Sequence, residues 1–314
     1  MKKDNSIVVI GSLNYDILLK QKRLPKLGET YTVDSVKTGG GGEGANQAVQ
    51  CRKMGIETYM LGSVGKDVFG DYLVNKLKNY NVNIDYIKRN SKITGLGINN
   101  ILDDGSLYAN IVQGANFSLK KNDLEKFENQ IKKSKVMLLQ LEIPTSIVEL
   151  AIDLAAKHDC YIILNAAPAK EVSKDTLKKV DCLIVNEVEA SYYCNKDIED
   201  IKSAMEKHHE LLNMIKEVLI ITMGSKGSCL FYEDNKIHIP ALKVKAVDTT
   251  GAGDTFVGVF ASKLIEGYNY VEAIKYASAA SSITVQKHGA QEIMPYKSDI
   301  DNIFSNNKFE IKKY

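Results

Sequence analysis

The chain has 314 residues, of which 44% are hydrophobic and 25% are charged, and its formal net charge is +2. This composition is typical of a folded globular protein, and the near-neutral charge argues against nucleic acid or an anionic membrane as the main partner. Five scattered cysteines without Cys-x-x-Cys spacing argue against a disulfide framework or a zinc site.

The N-terminal segment gives no indication of export. Its first apolar run, residues 7–10, is shorter than the apolar region of a signal peptide, and no later stretch approaches the length of a membrane span. Together with the cysteine usage, this predicts a soluble, cytoplasmic protein.

Apolar runs and helical patterns alternate along most of the chain. The runs read as strands buried on both faces, at 7–10, 136–139, 161–164, 182–185 and 218–221. Helical patterns cover 44–54, 68–79, 145–157, 198–215, 252–265 and 270–284. The alternation predicts one three-layer α/β/α domain over residues 1–314, with a mainly parallel central sheet.

Two regions, about 12–38 and 93–112, break this rhythm. They alternate polar and apolar residues and contain turn residues such as Asp103-Asp104-Gly105. They predict a small separate β-sheet that acts as a lid. Because an exposed sheet invites pairing between subunits, the lid also predicts a homodimer.

The first glycine-rich segment, 38–48, leaves two interpretations open. It formally contains Gly-x-Gly-x-x-Gly, but it follows a lid strand and not the first buried strand, where a dinucleotide-binding turn belongs. One interpretation is a backbone that approaches a ligand closely, with Asn46 at the mouth of the pocket. The other is a flexible loop that starts a helix.

The second glycine-rich segment, 247–256, runs into an apolar helix. Gly251 and Gly253 permit a tight turn whose backbone N–H groups, together with the helix N-terminus, form an anion hole for a phosphoryl group. Asp254 can then accept a proton from an attacking hydroxyl; the alternative is an ordinary first-turn aspartate that stabilises the helix. Residues 62–67 lack the spacing and the final Ser/Thr of a Walker A motif, so any ATP use is not that of a P-loop enzyme.

At these residues the chain resembles the ribokinase family, the PfkB carbohydrate kinases, over essentially its whole length. The matching segments occur in the family's order: 11–16, the Gly-Gly-x-Gly-Ala-Asn stretch ending at Asn46, 141–142, 165–168, 186–189, 222–227 and 248–254. The resemblance implies a ribokinase-like fold and ATP-dependent phosphorylation of a sugar hydroxyl, first of all D-ribose to ribose 5-phosphate. It strengthens the assignment of Asp254 as the catalytic base, with Gly251, Ala252 and Gly253 forming the anion hole.

The resemblance also implies a set of binding residues. The sugar would be held by Asn14, Asp16, Gly41, Gly42, Glu43, Asn46, Glu142 and Asp254; without the family, turn chemistry after a strand is the favoured explanation of Asn14 and Asp16. The nucleotide would contact Asn186, Thr222, Gly224, Ser225, Lys226, Gly227, Gly253 and Ser278.

Two ions are implied as cofactors in the same way. Mg²⁺ would be bound through water by Asn186 and Glu189, which otherwise read as a strand-end residue and a first-turn acid of a helix. A monovalent cation, K⁺, would be bound at Asp248, Thr250, Thr284, Lys287 and Gly289.

Glu43 departs from the family, in which ribokinases usually carry lysine. A carboxylate facing a phosphate is unfavourable, so Glu43 either points outward or meets a different part of the substrate. A kinase of deoxyribose, another sugar or a nucleoside is therefore an alternative, with Tyr15, Ile98 and Tyr108 available for a base pocket. A non-catalytic sugar-binding regulator is a third possibility, although such a protein is expected to lose Asp254 or the glycines.

Overall fold

The computed structural model describes residues 3–103 and 107–314. Of the predicted turn at 103–105, Asp104 and Gly105 lie outside the described residues. The strands are β1 (Asp4–Ile10), β2 (Asn14–Gln21), β3 (Ser35–Gly41), β4 (Glu57–Gly65), β5 (Asn83–Asn90), β6 (Gly95–Leu102), β7 (Leu107–Val112), β8 (Ser134–Leu139), β9 (Tyr161–Asn165), β10 (Cys182–Asn186), β11 (Val218–Thr222), β12 (Ser228–Tyr232), β13 (Asn235–Ile239) and β14 (Lys312–Lys313). The helices are α1 (Glu43–Lys53), α2 (Val68–Asn79), α3 (Lys121–Lys133), α4 (Thr145–Lys157), α5 (Lys174–Leu177), α6 (Glu187–Cys194), α7 (Ile201–Leu212), α8 (Ala252–Ile265), α9 (Tyr270–Thr284) and α10 (Lys297–Asn306).

A ten-stranded sheet, in the order β14-β13-β12-β11-β10-β9-β8-β1-β4-β5, forms the centre of the molecule. The strands from β11 through β5 pair in parallel, and β12, β13 and β14 add an antiparallel edge. The mainly parallel sheet is therefore confirmed, with an antiparallel extension that the apolar runs do not predict.

The two faces of this sheet carry separate apolar cores. Along β1, Ile7 and Val9 belong to the core beneath α1, α8 and α9, whereas Val8 and Ile10 belong to the core beneath α3, α4 and α7. All four side chains are fully buried, as expected for a strand covered by helices on both sides. This arrangement confirms the three α/β/α layers.

A smaller sheet, in the order β3-β2-β6-β7, is separate from the first. Strand β2 pairs antiparallel with β3 and parallel with β6, and β6 pairs antiparallel with β7. Its strands fall within or next to the two segments predicted as a lid, which confirms a small second sheet. Asn14 and Asp16 lie on one face because side chains alternate along a strand, whereas Tyr15 and Ile17 lie on the other.

The helical patterns agree with the structure except in one region. The predicted helix at 198–215 is shorter, because α7 begins after the cap of Asp200, whose side chain accepts from the Ser203 N–H, and ends at Leu212. Helices α3, α5, α6 and α10 were not among the predicted patterns. Within the described ranges, no helix combines the length and the apolar character needed to cross a bilayer.

Candidate active site

The site lies where the parallel strands end. Ligands of open α/β sheets bind beyond the carboxyl ends of the strands, and β9, β10 and β11 end there at Asn165, Asn186 and Thr222. These three residues line a cavity of about 230 Å³ together with Glu43, Ala167, Ile184, Glu189, Gly251, Gly253, Asp254 and Val257. The fold thus brings several of the predicted residues into one cavity.

Asp254 lies in the first turn of α8, and both oxygens of its carboxylate are held by side chains of α1. Asn46 Nδ2 donates to Oδ2 at 2.8 Å, and Gln47 Nε2 donates to Oδ1 at 3.1 Å. Burial raises the pKa of Asp254 to about 7; the two amide donors oppose this shift, and the Glu142 carboxylate adds to it. A carboxyl group with this pKa can accept a proton near neutral pH.

The turn before Asp254 presents backbone donors to the cavity. The Ala252 N–H donates to the Thr249 carbonyl and the Thr255 N–H to the Gly251 carbonyl, but no backbone carbonyl in the described parts of the chain accepts from Gly253 or Asp254. Such unpaired N–H groups at a helix start attract anions. The φ of Gly251 is 71°, a left-handed conformation that favours glycine, and a Cβ at Gly253 would enter open space.

Asn14 is positioned by a buried asparagine from beyond the lid. Asn116 donates to Asn14 Oδ1 at 2.7 Å, and its own oxygen accepts from the Leu13 N–H at 2.9 Å. Asn14 Nδ2 in turn donates to Glu142 at 3.4 Å, and the same Glu142 oxygen accepts from Ser12. This network joins the predicted sugar residue Asn14 to Glu142 after β8.

Asp16 lies against glycine backbone on both sides. A Cβ at Gly41 would come within 2.0 Å of Asp16 Oδ2, and a Cβ at Gly97 within 2.4 Å of Oδ1. Burial raises the pKa of Asp16 to about 7, with further contributions from the carboxylates of Glu142 and Asp254, while Lys76 opposes the shift. The Asp254 carboxylate is thus one of the charges that act on Asp16.

Glu43 points into the cavity, so the outward-facing orientation considered for it is wrong. Its N–H donates to Glu142 at 3.0 Å, and its side chain lines the cavity with Glu189 and Asp254. Its Oε2 atom is buried and has no hydrogen-bond partner among the described residues. Burial, and then the neighbouring carboxylates, raise its pKa well above the usual value.

Asn186 and Glu189 form a reciprocal cap at the start of α6. Asn186 Oδ1 accepts from the Glu189 N–H at 2.9 Å, and Glu189 Oε2 accepts from the Asn186 N–H at 2.8 Å. Both residues also line the cavity. Burial raises the pKa of Glu189 to about 7, and each of its oxygens retains a lone pair, so the pair fits a hydrated Mg²⁺ ion.

The residues predicted for a monovalent cation gather around Asp248. Its Oδ1 accepts from the Thr250 N–H at 2.9 Å, and its Oδ2 accepts from the Gly289 N–H at 3.4 Å. Although burial raises the pKa of Asp248, these donors hold it below the usual value. The ionised carboxylate fits a cation beside the backbone carbonyls of this loop, of which the Thr284 carbonyl accepts from the Lys287 N–H at 3.2 Å. No group of three or more His, Cys, Asp or Glu side chains within residues 3–103 and 107–314 is arranged to hold a metal ion by itself.

The remaining nucleotide residues lie outside the cavity. Gly224, Ser225 and Lys226 form a single 3₁₀ turn after β11 and face solvent, and Lys226 Nζ donates to the Glu199 carbonyl at 2.6 Å. Ser278 is half-buried on α9. Their part in nucleotide binding remains a prediction.

Sequence reasoning missed the buried amides that surround Asp254 and Asn14. These are Gln47, Asn116, Gln140 and Gln291, all 1% exposed or less. Gln47 and Gln140 adjoin motif residues Asn46 and Leu141, which is the only sequence signal for them. It also missed Lys170, whose Nζ donates to the carbonyl of Leu141, the residue before Glu142, at 2.5 Å, and whose pKa is lowered by burial.

Comparisons with known proteins identify the family and support the fold. Residues 4–297 match the family described as pfkB family carbohydrate kinase. A ribokinase of Schizosaccharomyces pombe is 34% identical over 96% of this chain and 98% of its own length, and a deoxyribokinase of Salmonella typhi is 31% identical over 96% and 99%. The structure of Arabidopsis thaliana ribokinase complexed with ribose and ATP superposes with a TM-score of 0.88 at 31% identity, covering 97% of this chain and 99% of that one. The chain belongs to the pfkB family of carbohydrate kinases.

Proposed function

We propose that the protein transfers the γ-phosphoryl group of ATP to the 5-hydroxyl of D-ribose. The observation that carries this proposal is the Asp254 carboxylate, held at both oxygens and placed beside the unpaired N–H groups at the start of α8. A base and an anion-binding turn in one cavity are what an in-line phosphoryl transfer requires. The similarity to ribokinases over nearly the full length supports ribose as the acceptor.

In the proposed reaction, Asp254 accepts the proton of the attacking hydroxyl as the oxygen–phosphorus bond forms. The bond between the γ-phosphorus and the bridging oxygen breaks, and ADP leaves. The N–H groups of Gly253 and Asp254 stabilise the charge on the transferred group, and Gly253 leaves room for it. Asn186 and Glu189 hold a hydrated Mg²⁺, which neutralises phosphate charge when it is bound.

The sugar is proposed to lie between the two sheets. Asn14, Asp16 and Asn46 bind its hydroxyls, and Asn116 fixes the orientation of Asn14. Buried polar groups of this kind reject a sugar that lacks the matching hydroxyl, because they are then left unpaired. The loop around Asp248 holds a monovalent cation and supports the turn through Gly251.

Deoxyribose is the second candidate because a deoxyribokinase is 31% identical over nearly the whole chain. A nucleoside is less well supported. The pairing register places Tyr15, Ile98 and Tyr108 on the lid face opposite Asp16, so these side chains cannot line a base pocket beside it within one chain.

The same apolar lid face supports a homodimer. Ile17, Leu19, Val36 and Tyr108 share it by register, and Val36 and Tyr108 are 57% and 49% exposed. Pairing two lids would bury this face.

The test is ADP release with ribose, deoxyribose, several hexoses and nucleosides, each with and without K⁺. We expect the highest kcat/KM with ribose and activation by K⁺. Turnover restricted to deoxyribose or to a nucleoside would overturn the ribose assignment. Turnover retained near the wild-type rate by Asp254→Asn would overturn the base assignment.

A further inference from the structure

Gln47 is the most completely bonded side chain next to Asp254, and it is fully buried. Its Nε2 donates to Asp254 Oδ1 at 3.1 Å and to Asn165 Oδ1 at 3.0 Å, and its Oε1 accepts from Gln140 Nε2 at 2.5 Å. Both amide hydrogens and the carbonyl oxygen are therefore used.

Asp254, Asn165 and Gln140 together fix which way the Gln47 amide points. If that amide were flipped, its NH₂ group would face the NH₂ group of Gln140 and its oxygen would face the Asp254 carboxylate. Both contacts would be repulsive, so the network has one arrangement when Asp254 is ionised. Gln140 is itself fully buried, and its Oε1 packs against Gly11 without a hydrogen-bond partner in the described structure, so its orientation follows from its bond to Gln47.

Gln47 does not line the cavity, in contrast to Glu43 and Asp254. Gln47 can therefore affect the reaction only through the cavity residues that it contacts, Asp254 and Asn165, and a shift in the ionisation of Asp254 distinguishes the first route from the second. Asn46 holds the opposite oxygen of that carboxylate, so loss of either amide would free the group to rotate. An orientation error at the base is expected to slow proton transfer without weakening sugar binding.

We propose that Gln47 is a positioning residue for phosphoryl transfer, whose amide, held by Gln140 and Asn165, sets the direction of the Asp254 carboxylate. The inference rests on the proposed role of Asp254 as the base. It adds Gln47 and Gln140, which lie outside the cavity, to the residues on which the rate of phosphoryl transfer depends.

The carboxylates around Asp254 make its ionisation depend on the amide donors of Asn46 and Gln47. Carboxylates approach it from three elements: Glu43 on α1, Asp16 on β2 and Glu142 after β8. Burial and the Glu142 carboxylate favour the protonated form of Asp254, and the donors from Asn46 and Gln47 oppose them. Removing one donor therefore moves ionisation of Asp254 to higher pH.

The test compares Gln47→Met with Gln50→Met. Both glutamines are fully buried on α1, but Gln50 donates to the Pro295 carbonyl at 3.1 Å and does not contact Asp254. We expect Gln47→Met to lower kcat roughly ten- to hundred-fold, the range for a lost hydrogen bond to a charged group. The KM for the sugar should stay within about twofold, and the acidic limb of the kcat–pH profile should move to higher pH. Gln50→Met should leave kcat and that limb unchanged.

Gln140→Met extends the test to the residue behind Gln47. It should cause a smaller loss of kcat with the same shift of the acidic limb, and the Gln47→Met/Gln140→Met double variant should be no slower than Gln47→Met. Additive losses, or a limb that does not move in either single variant, would overturn the proposal. If Gln47→Met does not fold, the Gln140→Met variant is sufficient for the test. An acidic limb of its kcat–pH profile that does not shift would overturn the positioning role of Gln47.

Asp254→Asn separates this inference from the proposed function. If Asp254→Asn is inactive and Gln47→Met behaves like Gln50→Met, only the positioning role fails. If Asp254→Asn keeps its turnover, the base assignment fails first, and the positioning role fails with it.

Discussion

The two glycine-rich segments use the same residue for different physical reasons. In the first, Gly41 and Gly42 make room for other parts of the protein: a Cβ would come within 2.0 Å of the Asp16 carboxylate at Gly41 and within 2.7 Å of the Asn14 nitrogen at Gly42. In the second, a Cβ at Gly253 would meet nothing within 4 Å, because this position opens onto the cavity.

Glycine in the first segment therefore lets the smaller sheet approach α1, whereas a Cβ at Gly253 would enter open space at the cavity. Substitution in the first segment should therefore cost stability as well as sugar binding. Substitution at Gly253 should cost activity alone.

The largest expected effect is that of Asp254→Asn. An amide cannot accept the hydroxyl proton, so kcat should fall by roughly 10²- to 10⁴-fold, the usual contribution of a general base. ATP binding should be largely retained, because the helix-start N–H groups remain. Steady-state ADP release and direct titration with ATP measure the two quantities; lost ATP affinity at unchanged kcat would contradict the assignment.

Gly253→Ala should lower kcat by about 10²-fold, as expected when an anion-binding turn is obstructed. Its free energy of unfolding should change by less than about 0.5 kcal/mol, because the added methyl group meets open space. Kinetics and urea unfolding on the same preparation check both values.

The matched variant, Gly41→Ala, should behave differently. Overpacking against Asp16 should lower the free energy of unfolding by about 1–3 kcal/mol and raise the KM for the sugar. Equal stability of the Gly41 and Gly253 variants would show that the two segments do not differ as described.

Activity should fall on the acidic side of neutrality. Asp16 and Asp254 both have a pKa of about 7 in the unliganded protein. As a base, Asp254 acts only when it is ionised, so kcat/KM for the sugar should drop about tenfold per pH unit below pH 7. The measurement needs saturating Mg²⁺ and ATP at each pH; a flat profile between pH 5.5 and 8 would contradict it.

Much of the fold could be predicted because its signals are local. Continuous apolar runs such as 182–185 identify strands buried on both faces, and each one proved to be a central strand of the parallel sheet. Helix α3 was missed because charged residues dominate it, although Leu124, Phe127 and Ile131 are buried. Strand β13, between β14 and β12, is short, and its pairing with β12 is decided by tertiary contacts.

The candidate site also contains some residues that local sequence patterns predict and others that only the tertiary structure reveals. Asp254 could be identified because a helix start after glycines has a chemistry that is visible in the sequence. Gln47 and Gln140 could not, because their hydrogen bond joins residues 93 positions apart. The direction of Glu43 was also undetermined, since a first-turn side chain can face either solvent or the cavity.

Glu43→Gln should stabilise the protein, because the buried Oε2 atom of Glu43 has no partner in the described structure and its carboxylate is expensive to ionise. The folded-state pKa lies above the ordinary value of 4.5, so the unfolded chain ionises more readily and the folded state is disfavoured as the pH rises above 4.5. The gain should be about 1 kcal/mol at pH 8 and should vanish as the pH falls below 4.5.

Exposed Glu206, on α7, offers the matched control: Glu206→Gln should change the free energy of unfolding little at any pH. Urea unfolding from pH 4.5 to 8 separates the two variants, and a gain at Glu43 that does not grow with pH would rule out an ionisation cost. Glu43→Lys tests the effect of this position on catalysis. Because a cation facing the transferred phosphoryl group stabilises its charge, this variant should have a higher kcat/KM for ribose than the wild type.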